Sequence, residues 1–186
     1  MQQRLIISAL GDDHPGIVNE ISGEVSKLKC NIEETQVNVF SGEFSILLDV
    51  SGKNDAIEKL ILSLPELEKK LNLSITFKKG GTRQRIGNVM PYKVKITSMD
   101  DMGLVDGGKS SLIHDISDFF ANKSINIENM RTSTYPAPHT STTLFSADLI
   151  ISLPKSILIS QLREELVEYC DKLNIDVSIE PRLEAR

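Results

Sequence analysis

The chain has 186 residues, a net charge of −5 and a 40% share of hydrophobic residues, which suits one large domain or two small ones with apolar cores. No apolar run reaches the roughly 18 residues of a transmembrane helix and no signal-peptide pattern opens the chain, so we expect a cytoplasmic protein without a membrane span. Tryptophan is absent and aromatic residues make up 5% of the chain, which argues against a stacking surface for single-stranded nucleic acid.

Apolar spacing in the first half of the chain predicts a βαββαβ order. The expected elements are a strand over 5–10, a helix over 16–29, strands over 32–40 and 44–50, a helix after a turn at 51–55, and a strand over 73–77. The second helix carries Leu60 and Leu64 at helical spacing and then meets Pro65. Because proline lacks a backbone N–H, we expect it to break or restart this helix.

The second half of the chain repeats the first. Leu112-Ile113 echoes Ile17-Val18, and Asn126-Ile127 echoes Asn31-Ile32, both at an offset of 95 residues. The expected elements are a strand over 92–98, a helix, strands over 127–135 and 142–152, a helix opened by residues 154–155, and a strand over 174–180. We therefore predict two ferredoxin-like βαββαβ domains of the α+β class, each with an antiparallel sheet and its helices on one face.

A polar, basic segment separates the two halves. Residues 80–91 contain glycines and lack an apolar period, which predicts domains over 1–79 and 92–186 joined by a linker over 80–91. The basic residues in and beside this segment are Lys78, Lys79, Arg83 and Arg85. These few positive charges would hold phosphate only weakly and in a salt-sensitive way, so we favour a solvated linker over a nucleic-acid contact.

The segment between the first strand and the first helix concentrates an acidic pair, a proline and two glycines. We expect Asp12 or Asp13 to cap the helix and Pro15 to occupy its first turn. Gly16 leaves backbone N–H groups uncovered at the helix start, which suits an amino-acid carboxylate. The plain alternative is a helix-start signal without a ligand. In the second half Ser111 takes the place of Gly16 after a longer loop, so the first loop is the better candidate.

Motifs for metal binding and catalysis are absent from the sequence. His14, His114 and His139 have no partners at the spacing of zinc ligands. There is no Walker motif and no nucleophile elbow, and no Cys–His pair is expected to meet in the fold. Cys30 and Cys170 lie in different halves, so we expect buried, unpaired thiols. We therefore predict no enzyme, no metal and no cofactor.

Three segments of the first half carry the signature of a known family: residues 9–19, with Asp13-x-Pro15-Gly16-Ile17, residues 30–33 and residues 43–44. In these segments the chain resembles the ACT domain, the small amino-acid-sensing module of metabolic regulators. The whole chain is similar to tandem ACT proteins that carry no enzyme or helix-turn-helix domain. The candidate ligand-binding residues are Asp12, Asp13, His14, Pro15, Gly16, Ile17 and Asn31.

Within that family the chain resembles the branch that regulates glycine cleavage. The resemblance implies a non-enzymatic transcriptional regulator that binds a small amino acid, with glycine as the proposed signal. It also implies repression of the glycine cleavage operon through contact with a LysR-type activator protein, without direct DNA binding. A homodimer is left open.

Two other functions also stay open. One is an ACT regulatory subunit that docks on a metabolic enzyme and confers amino-acid feedback control. The other is a repressor that binds DNA directly, against which the net charge of −5 and the missing helix-turn-helix count. Co-purification of an enzyme, rather than of a transcription factor, would favour the first.

Overall fold

The structure is a computed structural model that describes residues 2–80, 89–99, 108–137 and 142–182. It divides into two units, Met1–Arg85 and Ile86–Arg186. The first contains β1 (Gln2–Asp12), α1 (Ile17–Lys27), β2 (Asn31–Phe40), β3 (Glu43–Lys53), α2 (Asn54–Leu71) and β4 (Leu73–Gly80). The second contains β5 (Val89–Met99), α3 (Gly108–Asn122), β6 (Asn126–Pro136), β7 (Thr143–Pro154), α4 (Ile159–Lys172) and β8 (Asp176–Pro181).

Each unit forms one four-stranded antiparallel sheet from its βαββαβ elements. The strand order is β2-β3-β1-β4 in the first unit and β6-β7-β5-β8 in the second. The helical connections place the first and third strands of each unit at the centre of its sheet, while the hairpin partner and the last strand lie at the edges. The predicted ferredoxin-like fold of the α+β class is confirmed.

The core of the first unit lies between its sheet and its two helices. Alternate residues of the central strands are buried on this side: Leu5, Ile7 and Ala9 on β1, and Phe44, Ile46, Leu48 and Val50 on β3. The helices bury one stripe each, with Ile17, Ile21 and Val25 on α1 and Leu60, Leu64, Leu67 and Leu71 on α2. The buried residues recur every second position in the strands and about every 3.6 positions in the helices, and the same two periods predict these elements from the sequence.

The second unit has its own core, which includes Val94, Ile96, Phe120, Leu149, Ile151 and Leu166. The hydroxyl of Tyr169 on α4 donates to the carbonyl of Asp115 on α3 at 3.2 Å. Cys170 is fully buried, and this burial raises the pKa of its thiol to about 12. Cys30 is also buried and unpaired, so the prediction for both cysteines is confirmed.

Outside the β1–α1 loop, two predictions about proline residues are wrong. Helix α2 continues through Pro65 over Asn54–Leu71. Buried leucines on both sides of the proline pack against the sheet, and this packing outweighs the hydrogen bond that proline cannot make. Pro154 ends β7 and does not open a helix. The N–H of Ile157 donates to the Pro154 carbonyl at 3.0 Å in a turn, and α4 begins only at Ile159.

Strands extend into both ends of the segment 80–91 that was predicted as a linker. β4 runs to Gly80, which pairs with Arg4, and β5 begins at Val89, which pairs with Pro154. Pairing of β4 with β1 and of β5 with β7 therefore extends the sheets into residues whose composition indicates irregular structure. The exact domain limits stay a prediction.

The basic residues near this segment differ in their surroundings. Lys78 and Lys79 lie on β4, where Lys79 forms an ion pair with Glu58 at 2.5 Å. Arg83 and Arg85 lie outside the described residues. Lys79 is therefore engaged within its own unit.

Candidate functional site

The loop between β1 and α1 turns at Gly16. This residue is the N-cap of α1 and has φ 101° and ψ −12°, a left-handed conformation that glycine adopts without strain. Among the described residues, no side chain caps the helix. The predicted cap by Asp12 or Asp13 is therefore wrong, because both residues lie too far before the helix. Asp12 is the last residue of β1, and Asp13 donates its backbone N–H to Gly42 O at 3.2 Å.

The start of α1 borders open space at Gly16. Pro15 lies in the turn before the helix, so its predicted place in the first helical turn is wrong; the positive φ of Gly16 starts the helix at Ile17. The side chain of Ile17 is 1% exposed and anchors this end of the helix in the core. A Cβ at Gly16 would meet no described heavy atom within 4 Å. Uncapped N–H groups at a helix start attract carboxylates.

His14 ties this loop to the end of α2. Its Nδ1 lies 3.3 Å from the carbonyl oxygen of Pro15, and its Nε2 lies 3.3 Å from the carbonyl oxygen of Leu71. A carbonyl oxygen only accepts hydrogen bonds, so a ring N–H has to donate in each contact that is formed. Which of the two contacts is a hydrogen bond depends on which ring nitrogen carries the proton.

Exposed carboxylates lie beside the helix start. Asp12 and Asp13 are exposed, and Asp12 pairs with the exposed Glu43 across β1 and β3. The loop therefore places negative side chains close to the positive end of the α1 dipole. An α-amino acid carries the matching pair of charges, a carboxylate and an ammonium.

Asn31 is not brought to this loop within the first unit. Asp12 pairs with Glu43 at one end of β3, whereas Asn31 pairs with Ser51 toward the other end. These two positions on β3 are eight residues apart, or roughly 27 Å at the rise of an extended strand. The other six predicted residues lie together in the loop or at its ends.

The Asn-Ile-Glu sequence that begins β2 and β6 forms the same β-bulge in both units. The register shifts between Ile32 and Glu34 in β2, and between Ile127 and Asn129 in β6. The bulged residue is a glutamate in each case. Bulges re-aim the side chain of the extra residue, so this repeated sequence has a structural role in both units.

A buried serine on the neighbouring strand binds each of these glutamates. The Ser51 hydroxyl donates to Glu33 at 2.5 Å, and the Ser152 hydroxyl donates to Glu128. Both serines are 3% exposed. The repeat at an offset of 95 does not reveal these pairs, because the second hairpin is longer and the two serines are 101 residues apart.

The remaining candidates are less informative. Residues 100–107 of the second loop and His139 lie outside the described residues; Ser111 lies within α3, and His114 is exposed on that helix. Over the described ranges, no group of three or more His, Cys, Asp or Glu is arranged to hold a metal ion. No helix in the same ranges is long and apolar enough to cross a membrane.

Comparisons with known proteins agree with this architecture. Residues 3–78 match the ACT domain family. Over 179 residues the chain is 30% identical to the glycine cleavage system transcriptional repressor of Escherichia coli (strain K12), covering 96% of this chain and 90% of the relative. The chain belongs to the family of the glycine cleavage system transcriptional repressors. The Shigella flexneri member of this repressor family matches to the same extent.

Solved structures share the complete fold. A crystal structure provisionally described as a glycine cleavage system transcriptional repressor superposes with a TM-score of 0.75 at 25% identity, covering 97% of each chain. A protein of unknown function from Galdieria sulphuraria superposes with a TM-score of 0.76 at 20% identity, covering 98% of this chain and all of the other. The repressor family thus accounts for both βαββαβ units of this chain.

Proposed function

We propose that this chain is an amino-acid-responsive transcriptional regulator that represses the glycine cleavage operon by binding a LysR-type activator protein. The observation that carries the proposal is the 30% identity to a named repressor along 96% of the chain. That likeness spans both units and is not confined to one sensing module. The net charge of −5 also favours a protein partner over the phosphate backbone of DNA.

The proposed ligand is a small α-amino acid, with glycine as the first candidate, bound at the β1–α1 loop. Its carboxylate would accept hydrogen bonds from the first-turn N–H groups of α1, beside Pro15, Gly16 and Ile17. Its ammonium would face Asp12 or Asp13. This arrangement uses the uncapped helix start and the exposed carboxylates described above. Asn31 is left out of the proposed site because it lies far along the sheet.

Calorimetry with two matched glycine variants tests the ligand site. Gly16→Ala forces an L-residue to φ 101°, and we expect the resulting shift of the first-turn N–H groups to weaken glycine binding about tenfold. Gly23→Ala lies in the middle of α1, where a Cβ meets no described heavy atom within 4 Å. It should bind glycine as the wild type does. Equal binding by all three proteins would exclude the loop as the site.

A mobility-shift experiment with the operator fragment tests the mode of repression. The chain alone should leave the DNA unshifted, and it should change the mobility or affinity of the activator–DNA complex. Glycine should change the affinity of the chain for the activator by about 5- to 150-fold, the range typical of allosteric coupling. A sequence-specific shift by the chain alone would refute the proposal. Recovery of a metabolic enzyme from native lysate, in place of the activator, would instead support the feedback-subunit alternative.

A further inference from the structure

The turn between α2 and β4 packs directly against β1 where the candidate loop begins. Gly11 pairs with Leu73 in the β1–β4 ladder. A Cβ at Gly11 would lie 2.9 Å from the carbonyl oxygen of Asn72 and 2.8 Å from Cδ2 of Leu73. Only a residue without a side chain allows this approach, so the start of the loop and this turn are in direct contact.

Two further contacts join the rest of the loop region to the same turn. In the loop, His14 Nε2 lies 3.3 Å from the carbonyl oxygen of Leu71, the last residue of α2. After the loop, Glu20 in the first turn of α1 pairs with Lys70 at 2.6 Å. Both members of that ion pair are well exposed, so its contribution is small. We call residues 70–73 the α2–β4 corner; the loop region contacts it before, within and after the turn at Gly16.

The α2–β4 corner has hydrogen bonds that can report its state. Asn72 has φ 52° and ψ 44° and donates its N–H to the carbonyl of Glu68. The side chain of Glu68 accepts a second hydrogen bond from the N–H of Ile75 on β4 at 2.9 Å. Movement of the corner would expose these two amide groups to exchange with solvent.

We propose that His14 is a positioning residue that transmits occupation of the β1–α1 loop to the α2–β4 corner. Both of its ring nitrogens face carbonyl oxygens of the protein, one in the loop at Pro15 and one in the corner at Leu71. A shift of the loop backbone therefore moves the ring and changes how well its Nε2 can donate to the Leu71 carbonyl. In this role His14 couples the loop to the corner and does not contact the ligand. The transmission rests on the proposed function, because ligand binding at the loop is the event that is transmitted.

Amide-resolved hydrogen exchange on the full chain tests the contact without any ligand. We expect His14→Ala to speed exchange at the N–H groups of Asn72 and Ile75 about two- to tenfold, the effect of losing one hydrogen bond. His14→Gln retains a donor and should restore slow exchange. His114→Ala, on α3 of the other unit, is the matched control and should leave both amides unchanged. Unchanged exchange in His14→Ala, or no recovery in His14→Gln, would overturn the proposal.

Addition of glycine to the wild-type protein tests the transmission. We expect slower exchange both at the start of α1 and at Asn72 and Ile75, and we expect His14→Ala to lose only the second effect. Slower exchange confined to the start of α1 would overturn the proposal and leave the ligand site intact. If calorimetry detects no glycine binding, the proposed ligand fails, whereas the ligand-free exchange rates still decide whether His14 holds the corner.

Discussion

The close approach of β1 to the α2–β4 corner makes Gly11→Ala the most informative test of the first unit. The new methyl group would lie 2.8 Å from Leu73 Cδ2, 2.9 Å from the Asn72 carbonyl oxygen and 3.3 Å from Leu73 Cα. The side chain of Leu73 is buried and has little room to turn. The Asn72 carbonyl belongs to the turn before β4, and the N–H of the same residue donates to the Glu68 carbonyl, so relief of this contact requires backbone movement in that turn.

The size of the effect follows from these contacts. Overpacking of this kind costs about 1–3 kcal/mol, and the lower entropy of alanine in the unfolded chain offsets about 0.4–1 kcal/mol. We expect a net loss of about 1–2 kcal/mol in the free energy of unfolding. For a unit of this size that corresponds to a fall of roughly 5–15 °C in Tm.

Two spectroscopic signals separate the two units in this measurement. All three tyrosines lie in the second unit, at Tyr92, Tyr135 and Tyr169, and the chain has no tryptophan. Tyrosine fluorescence therefore follows the second unit alone, whereas far-ultraviolet circular dichroism follows both. Gly11→Ala should lower the transition followed by circular dichroism by more than the transition followed by tyrosine fluorescence.

The same substitution at Gly23 provides the control. It lies inside α1, where a Cβ meets no described heavy atom within 4 Å, so alanine should raise the stability of the first unit by about 0.5–1 kcal/mol. The opposite signs reflect the close contact at Gly11 and the open position of Gly23 inside a helix, where alanine is favoured over glycine. If Gly11→Ala is as stable as the wild type, or Gly23→Ala is the more damaging of the two, the packing argument is refuted.

Three further predictions concern other parts of the fold. Ser51→Ala should lower the free energy of unfolding of the first unit by about 1 kcal/mol, measured by urea denaturation. In a double-mutant cycle with Glu33→Ala, the combined loss should be smaller than the sum of the two single losses. Additive losses would contradict the hydrogen bond between the two side chains. Burial raises the pKa of the Cys170 thiol to about 12, so the folded unit holds the thiol proton more tightly than the unfolded chain does. The free energy of unfolding that comes from this difference is fully present below the ordinary thiol pKa of about 8.5 and is lost as the pH rises toward 12. The unfolding midpoint of the second unit should therefore fall between about pH 8 and about pH 11, and Cys170→Ala should flatten that fall. Pro65→Ala should raise the Tm of the first unit, since it restores a helical N–H at a cost in unfolded-state entropy of only about 1 kcal/mol; a lower Tm would show that the proline ring itself packs favourably.

Local chemistry in the chain was sufficient for the order of the elements and for the position of the loop between β1 and α1. The periods of two and of 3.6 in the apolar residues depend only on neighbours a few positions away. The need for glycine at residue 16 is equally local, because a turn with positive φ is decided by the residue itself. The repeat at an offset of 95 likewise required no knowledge of contacts.

Strand register and long-range packing decided the rest. Asn31 was grouped with the loop by resemblance, yet pairing along β3 separates them by roughly 27 Å. The contact between His14 and Leu71 joins residues 57 positions apart, and no local pattern marks either partner. Pro65 is a helix breaker by local rules, but buried leucines on both sides keep α2 continuous. Such contacts depend on which strands pair and in which register, and these are properties of the folded sheet and not of any short segment.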